Sequence, residues 1–208
     1  MGTKESHYRL TEPVGERDHV SGQRAAPIAL VEYGDFECPY CRAAEPIVAA
    51  LREAFGDQLS YTFRHFPLHE VHPHGQHAAE VAEAAGSQGL FWEMHDTLFA
   101  NQEALDDPSL LRYAADLGLD ADRVERELAD RVHFRRVADD LAGGLASGVR
   151  GTPTFYVDGL RYEGSVGVRQ MLAAIRELHP DVEVTETAPS NLRIPRVAWP
   201  NSRGAQAT

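Results

Sequence analysis

Residues 28–41 of this 208-residue chain read IALVEYGDFECPYC and join an apolar run to a pair of cysteines. The apolar run, residues 28–33, predicts a short buried strand. Pro39 favours the first position of a helix, because the N–H that proline lacks would have no partner there. Cys38 is therefore expected at the N-terminus of a helix that directly follows a strand.

Cys38 and Cys41 are the only two cysteines in the chain. Unpaired backbone N–H groups and the helix dipole favour a thiolate at the first of them, and the second lies one turn further on. We therefore expect Cys38 to be the exposed, acidic nucleophile and Cys41 to be the buried, resolving thiol. A single cysteine pair indicates redox chemistry in a reducing compartment rather than structural disulfides.

Size and charge limit the classes of partner. The chain is long enough for one sizeable core, either as a single domain or as one domain with a large insertion. Its net charge of -12 would repel polyphosphates, so we expect neither nucleic acid nor an anionic membrane surface as a partner. Residues 1–18 lack the apolar segment of a signal peptide and no run is long enough to span a bilayer, which predicts a cytoplasmic protein without membrane insertion.

The remaining elements follow from local patterns. Alternation over residues 59–66 predicts a second strand. From about residue 75 to residue 148, apolar residues recur at helical spacing in successive segments, and these stripes are expected to pack in a core. The turn at Asp158-Gly159 between two apolar runs predicts a β-hairpin, and a last helix is expected over residues 166–178.

This order of elements, with three motifs, resembles the thioredoxin superfamily and within it the DsbA-like branch. The motifs are the segment from Val31 to Cys41, Pro46, and the segment Gly151-Thr152-Pro153-Thr154-Phe155. The resemblance covers about residues 28–178. The chain is also similar to soluble domains that occur appended to bacterial sodium/proton antiporters.

The resemblance implies an α/β fold in which a helical insertion domain interrupts a thioredoxin fold. The thioredoxin-like domain is then in two parts (25–72 and 149–179), separated by the helical insertion (73–148). The local pattern predicts an N-terminal arm that is mobile or an edge segment (1–24), and the prolines with little periodicity predict an extended C-terminal tail (180–208).

The resemblance also assigns substrate-binding residues. Pro153 matches the family's cis-proline, and the Thr152 backbone before it would pair with an extended substrate segment, with Gly151 in the same loop. Pro39 and Tyr40 complete the catalytic motif. Tyr40 replaces a histidine found in several oxidising relatives, and the same Pro-Tyr pair occurs in glutaredoxins, so the direction of electron flow stays open.

Acidic residues surround the motif. Glu32 matches a position at which DsbA-like proteins carry a glutamate beneath the active site, where it would accept the proton of Cys41. The alternative is an edge residue that faces water. Asp35 and Glu37 are negative neighbours expected to oppose the Cys38 thiolate and to blunt any oxidising tendency.

A histidine cluster offers a different interpretation. With the two cysteines it could complete a Cys2His2 zinc site, although its spacing is unlike that of compact zinc modules, so we predict no metal ligands here. Solubility or capping would also explain the cluster, whose members are His65, His69, His72, His74 and His77.

The sequence thus predicts a DsbA-like protein thiol–disulfide oxidoreductase that needs no cofactor. Its expected partners are protein or small-molecule thiols and disulfides, including glutathione, and an external electron donor or acceptor. The alternatives are a redox-sensing or regulatory interaction module without turnover, a zinc-bound structural module, and a relative of the kappa-class glutathione transferases.

Overall fold

The computed structural model describes residues 9–184. The first eight residues of the expected arm, and residues 185–208 of the expected tail, lie outside this range. The strands are β1 (His19–Ser21), β2 (Ile28–Gly34), β3 (Leu59–His65), β4 (Thr154–Val157) and β5 (Leu160–Arg161). The α-helices are α1 (Pro39–Phe55), α2 (Gly75–Ser87), α3 (Phe91–Ala100), α4 (Asp107–Asp116), α5 (Ala121–Ala129), α6 (Phe134–Ala146) and α7 (Val168–Leu178).

The strands form one mixed sheet in the order β1-β3-β2-β4-β5. β2 and β3 are parallel and are connected through α1, whereas the other neighbouring pairs are antiparallel. β2 lies at the centre and is almost entirely buried, which explains why its sequence is a nearly continuous apolar run. The end of β2 therefore delivers the chain directly to Cys38.

Alternation along β2 separates two faces of the sheet. Ile28 and Leu30 belong to the large core cluster, which also includes Ile47 and Leu51 of α1. Val31 and Tyr33 belong to a smaller cluster on the other face. By the same alternation, Glu32 points to the face that α1 covers.

The helices α2 to α6 form a block between β3 and β4, as the helical spacing predicted. α2 contacts each of the other four. Its buried positions are rich in alanine, and such small side chains allow neighbouring helices to approach closely. No helix within residues 9–184 is both long and apolar enough to cross a membrane.

The N-terminal arm was expected to be either mobile or an edge segment of the sheet. The part of it that the structure describes is an edge segment. β1 pairs with β3, and the preceding residue, Asp18, is buried against Arg64, whose Nε donates to Asp18 Oδ1 at 2.8 Å. The Arg64 side chain is only 5% exposed and that of Asp18 is 8% exposed. Arg64 lies on the same face of β3 as Ser60 and Thr62, and the backbone of Glu12 and Pro13, far away in sequence, covers its side chain.

We expect Asp18→Ala to lower the free energy of unfolding by about 3 kcal/mol, because it leaves the buried Arg64 charge without its carboxylate. Burial raises the pKa of Asp18, but hydrogen bonds from Arg64 and the Gly15 N–H lower it overall. A carboxylate with a lowered pKa stabilises the fold above its unfolded-state pKa, so the difference between wild type and variant should shrink below about pH 4.

Urea unfolding at several pH values measures this effect. Asp139→Ala is the control, because Asp139 pairs with Arg17 on the surface, where the two side chains are 41% and 67% exposed. It should change the free energy of unfolding by less than about 0.5 kcal/mol. Equal changes in the free energy of unfolding for the two variants would show that the buried Asp18–Arg64 pair stabilises the fold no more than the surface pair does.

Candidate active site

Cys38 is the N-cap residue of α1 and has extended backbone angles, φ -77° and ψ 119°. Its N–H donates to the Asp35 carbonyl oxygen at 3.0 Å. From the loop after α3, the Gln102 side-chain amide donates to the carbonyl oxygens of Phe36 at 2.7 Å and Cys38 at 2.9 Å. The loop that carries the cysteine is thus fixed by its own backbone and by a residue that no motif identified.

The prediction that Cys38 is exposed is wrong, because this residue is only 2% exposed and Cys41 is fully buried. The Thr152 carbonyl oxygen covers the Cys38 sulfur and accepts a hydrogen bond from it at 3.4 Å. Both cysteines are free thiols, and they approach each other to 3.9 Å. The structure therefore shows a closely spaced dithiol beneath the Thr152 segment.

The two thiols differ in acidity. The pKa of Cys38 is lowered to about 6, mainly by a hydrogen bond from the Cys41 thiol. Burial acts in the opposite direction, and hydrogen bonds from Thr152 and from the N–H groups of Cys41 and Tyr40 lower the pKa further. The Thr152 hydroxyl is buried without another partner, which leaves it available to the ionised sulfur. Burial, followed by the hydrogen bond and charge of Cys38, raises the pKa of Cys41 well above its usual range.

We expect the alkylation rate of Cys38 to rise with pH through about 6 and then to level off, because only the thiolate reacts. Cys41 should stay unlabelled under the same conditions. Mass spectrometry of the labelled peptides gives both rates. A rate that keeps rising to the ordinary thiol pKa of about 8.5, or earlier labelling of Cys41, would contradict this assignment.

Glu32 is fully buried, which excludes the alternative in which it faces water. The Tyr61 hydroxyl donates to Glu32 Oε2 at 2.9 Å, while Oε1 has no partner. Burial, then the charge of Glu45, raises the pKa of Glu32 well above its usual range. The charge of Glu32 is in turn one cause of the raised pKa of Cys41. The neighbours of Glu32, Tyr61 and Glu45, help to line a cavity of about 400 Å³, but Glu32 itself is not part of that lining.

The carboxylates of Asp35 and Glu37 are each paired with a histidine from the loop after β3. Asp35 Oδ2 lies 2.7 Å from His72 Nδ1 and accepts from the Leu68 N–H at 2.8 Å. Glu37 Oε1 lies 2.9 Å from His74 Nδ1. Each of these carboxylates thus has a histidine partner, and their expected opposition to the Cys38 thiolate stays a prediction.

Two further histidines of the cluster also pair with carboxylates. His65 Nε2 lies 2.8 Å from Glu83 Oε1, and His77 Nδ1 lies 2.7 Å from Asp107 Oδ1. Across residues 9–184, neither of the two groups that could hold a metal ion contains a cysteine; they are Glu45, His95 and Asp96, and His65, Glu83 and Asp140. The geometry gives no support to a Cys2His2 site.

The predicted substrate-binding loop lies against Cys38. The bond between Thr152 and Pro153 is cis, and Gly151 accepts a hydrogen bond from the Thr154 hydroxyl at 2.7 Å. Thr152 is buried, whereas Gly151 and Pro153 are partly exposed. In the cysteine motif itself, Pro39 is exposed and Tyr40 is half-buried. The structure thus brings the predicted residues of both motifs to one place, with Glu32 beneath them.

A family model described as Thioredoxin matches residues 15–177. Among curated proteins, the Na(+)/H(+) antiporter NhaA 1 of Salinispora arenicola is 51% identical over 176 residues, which is 84% of this chain and 27% of the antiporter. The Na(+)/H(+) antiporter NhaA of Herminiimonas arsenicoxydans is 46% identical over 167 residues, 80% of this chain and 26% of that protein. The chain thus spans about a quarter of the length of these relatives.

Solved structures are similar over most of their length. Oxidised BdbD from Bacillus subtilis has a TM-score of 0.74 at 21% identity and covers 82% of this chain and 97% of its own. A thioredoxin-like oxidoreductase from Silicibacter pomeroyi has a TM-score of 0.71 at 26% identity, with 80% and 94% covered. Wolbachia pipientis alpha-DsbA1 has a TM-score of 0.70 at 22% identity, with 83% and 96% covered.

Proposed function

The chain belongs to the thioredoxin family, which confirms the predicted family and fold, and on that premise we propose that it is a thiol–disulfide oxidoreductase in which Cys38 attacks and Cys41 resolves. One observation carries this proposal. The Cys38 thiol has a pKa of about 6, and the Cys41 thiol lies 3.9 Å away with its pKa raised well above its usual range. One sulfur is thus ready to attack while the other keeps its proton for the second step.

The exchange proceeds in two displacements. The Cys38 thiolate attacks one sulfur of a substrate disulfide, which forms a mixed disulfide and releases the other substrate sulfur as a thiolate. Cys41 then passes its proton to the Glu32 carboxylate and attacks the Cys38 sulfur, which forms the Cys38–Cys41 disulfide and releases the second substrate thiolate. Two electrons pass from the protein to the substrate. Glu32 then releases its proton to solvent, and both released thiolates take protons from solvent. With a dithiol partner the same steps run in reverse.

The Thr152 segment is proposed to seat the substrate. Its carbonyl oxygen accepts from the protonated Cys38 thiol at 3.4 Å. When that thiol ionises it no longer donates, so the carbonyl oxygen becomes available to an N–H of an extended substrate chain, as in β-strand addition. Gly151 and Pro153, which are partly exposed on either side, frame this contact. Protein thiols and disulfides are the proposed main substrates, with glutathione as a small-molecule partner in the cytoplasm.

Equilibration of the purified protein in glutathione buffers, followed by thiol counting, tests the proposed chemistry. The expected result is one reversible disulfide between Cys38 and Cys41, at a reduction potential between those of thioredoxin and DsbA, about -270 and about -120 mV. Formation of glutathione adducts alone, with no internal disulfide at any buffer ratio, would refute the proposal.

A second candidate function is that of a redox-responsive regulatory domain. The observation that favours it is the 51% identity with a part of a sodium/proton antiporter. In this role the Cys38–Cys41 pair would change its redox state in response to the thiol pool, and the change would alter a protein contact without turnover of a substrate.

A further inference from the structure

Asp35 connects a histidine to both cysteines. Its carboxylate is completely buried and accepts hydrogen bonds from the Glu37 and Leu68 N–H groups at 2.9 and 2.8 Å. Its backbone N–H donates to Cys41 Sγ at 3.4 Å, and its carbonyl oxygen accepts from the Cys38 N–H at 3.0 Å. A charged group that hydrogen-bonds to the Asp35 carboxylate therefore lies close to both cysteine sulfurs.

The loop that carries His72 is built to approach Asp35 closely. The N–H groups of Val71 and His72 both donate to the Leu68 carbonyl oxygen, at 3.0 and 2.9 Å, which fixes the turn that presents the ring. Gly75, the first residue of α2, has no side chain, so the Asp35 carboxylate can pack directly against it. A Cβ on residue 75 would lie only 2.6 Å from Asp35 Oδ1. The His72 side chain is 15% exposed, so solvent screens its charge only partly.

The charged groups that face His72 are negative. The pKa of His72 is raised, mainly by its hydrogen bond with Asp35. The negative charges of Asp35, Cys38 and Glu37 raise it further, whereas partial burial lowers it. The imidazolium therefore persists at pH values at which a free histidine is neutral. Tyr40, within the cysteine motif, carries no positive charge that could serve the same purpose.

We propose that His72 is a positioning residue that acts through Asp35, so that its imidazolium stabilises the Cys38 thiolate and favours the reduced, reactive form of the protein. This role rests on the proposed thiol–disulfide exchange and adds a regulator to it. As the pH rises through the pKa of His72, the imidazolium is lost and Asp35 becomes an uncompensated negative neighbour of both sulfurs. The protein then becomes a weaker oxidant and its thiolate becomes less stable.

The experiment compares His72→Gln, which can still donate to Asp35 but carries no charge, with His72→Lys, which keeps a charge. His77→Gln is the matched control, because His77 lies in the same segment and pairs with Asp107 at the surface. The Cys38 thiolate is titrated by its ultraviolet absorbance, and the equilibrium constant for reduction by glutathione is measured across the same pH range.

His72→Gln is expected to decrease the ionisation constant of Cys38 by about three- to tenfold, which corresponds to a pKa shift of about half a unit to one unit. The thiolate fraction near pH 6 should then fall by about two- to fivefold, and the equilibrium constant should fall with it. His72→Lys should recover most of this loss, and His77→Gln should match the wild type. An unchanged titration in His72→Gln, or equal losses in the glutamine and lysine variants, would overturn the electrostatic role. The titration needs no substrate, so failure of the wild type to form its disulfide in glutathione would be seen separately, as failure of the proposed function.

Discussion

Cys38→Ser is expected to reduce disulfide exchange to the rate of the uncatalysed reaction, whereas Cys41→Ser should stop the cycle one step later. A serine hydroxyl at position 38 does not ionise near neutral pH and cannot form a disulfide, so no mixed disulfide arises. A serine at position 41 still offers a hydrogen-bond donor to Cys38, the interaction that contributes most to its lowered pKa. Attack on the substrate should therefore continue while resolution fails.

Intact-protein mass spectrometry after incubation with a peptide disulfide distinguishes these outcomes. Cys41→Ser should gain the mass of one substrate half, and Cys38→Ser should gain none. The wild type should pass through the adduct and accumulate the internal disulfide. A stable adduct on Cys41 in the Cys38→Ser protein would reverse the assigned roles of the two thiols.

Glu32→Gln is expected to slow the resolving step by about a hundredfold, within the usual range for loss of a general base. Glutamine keeps an acceptor for the Tyr61 hydroxyl but cannot take the proton of Cys41. Removal of the Glu32 charge also removes one cause of the raised pKa of Cys41, which acts in the opposite direction. We expect loss of the base to dominate, because Cys41 is fully buried and bulk water does not reach its thiol directly.

The pH dependence gives this prediction a second measurement. The wild-type resolving step should slow as the pH falls below the raised pKa of Glu32, because a protonated carboxyl group cannot accept a proton, and Glu32→Gln should lose this dependence. Glu45→Gln is the matched control. The charge of Glu45 raises the pKa of Glu32, so its removal should shift the profile to lower pH and leave the maximal rate at high pH unchanged. Single-turnover release of the second substrate thiol follows the step, and an unchanged profile in Glu32→Gln would remove this residue from proton transfer.

The sequence predicted those parts of the fold that depend on local signals. Pro39 starts α1, as expected from its missing N–H. The hairpin turn at Asp158-Gly159 has positive φ angles, 50° and 76°, which aspartate tolerates and glycine adopts without strain. Each of these signals lies within a few residues of the structure it specifies.

The parts of the site that the sequence missed depend on contacts between distant segments. Thr152 covers a thiol that helix geometry alone left exposed, and Gln102 fixes the active-site loop from the helical block. His72 and Asp35, 37 residues apart, meet only because β3 runs parallel to β2 and its exit loop lies beside the cysteine motif. Periodicity and motif spacing carry no information on such pairs, which explains why the histidine partners of the acidic neighbours were not predicted.

We propose that the protein catalyses disulfide exchange and does not act only as a sensor. Turnover tests this most directly, as the number of insulin disulfides reduced per protein molecule when a thiol donor is supplied in excess. We predict many equivalents per molecule for the wild type and none above background for Cys38→Ser. Reduction that stops at one equivalent, in a protein whose Cys38–Cys41 disulfide the donor readily re-reduces, would contradict the claim and favour the regulatory domain.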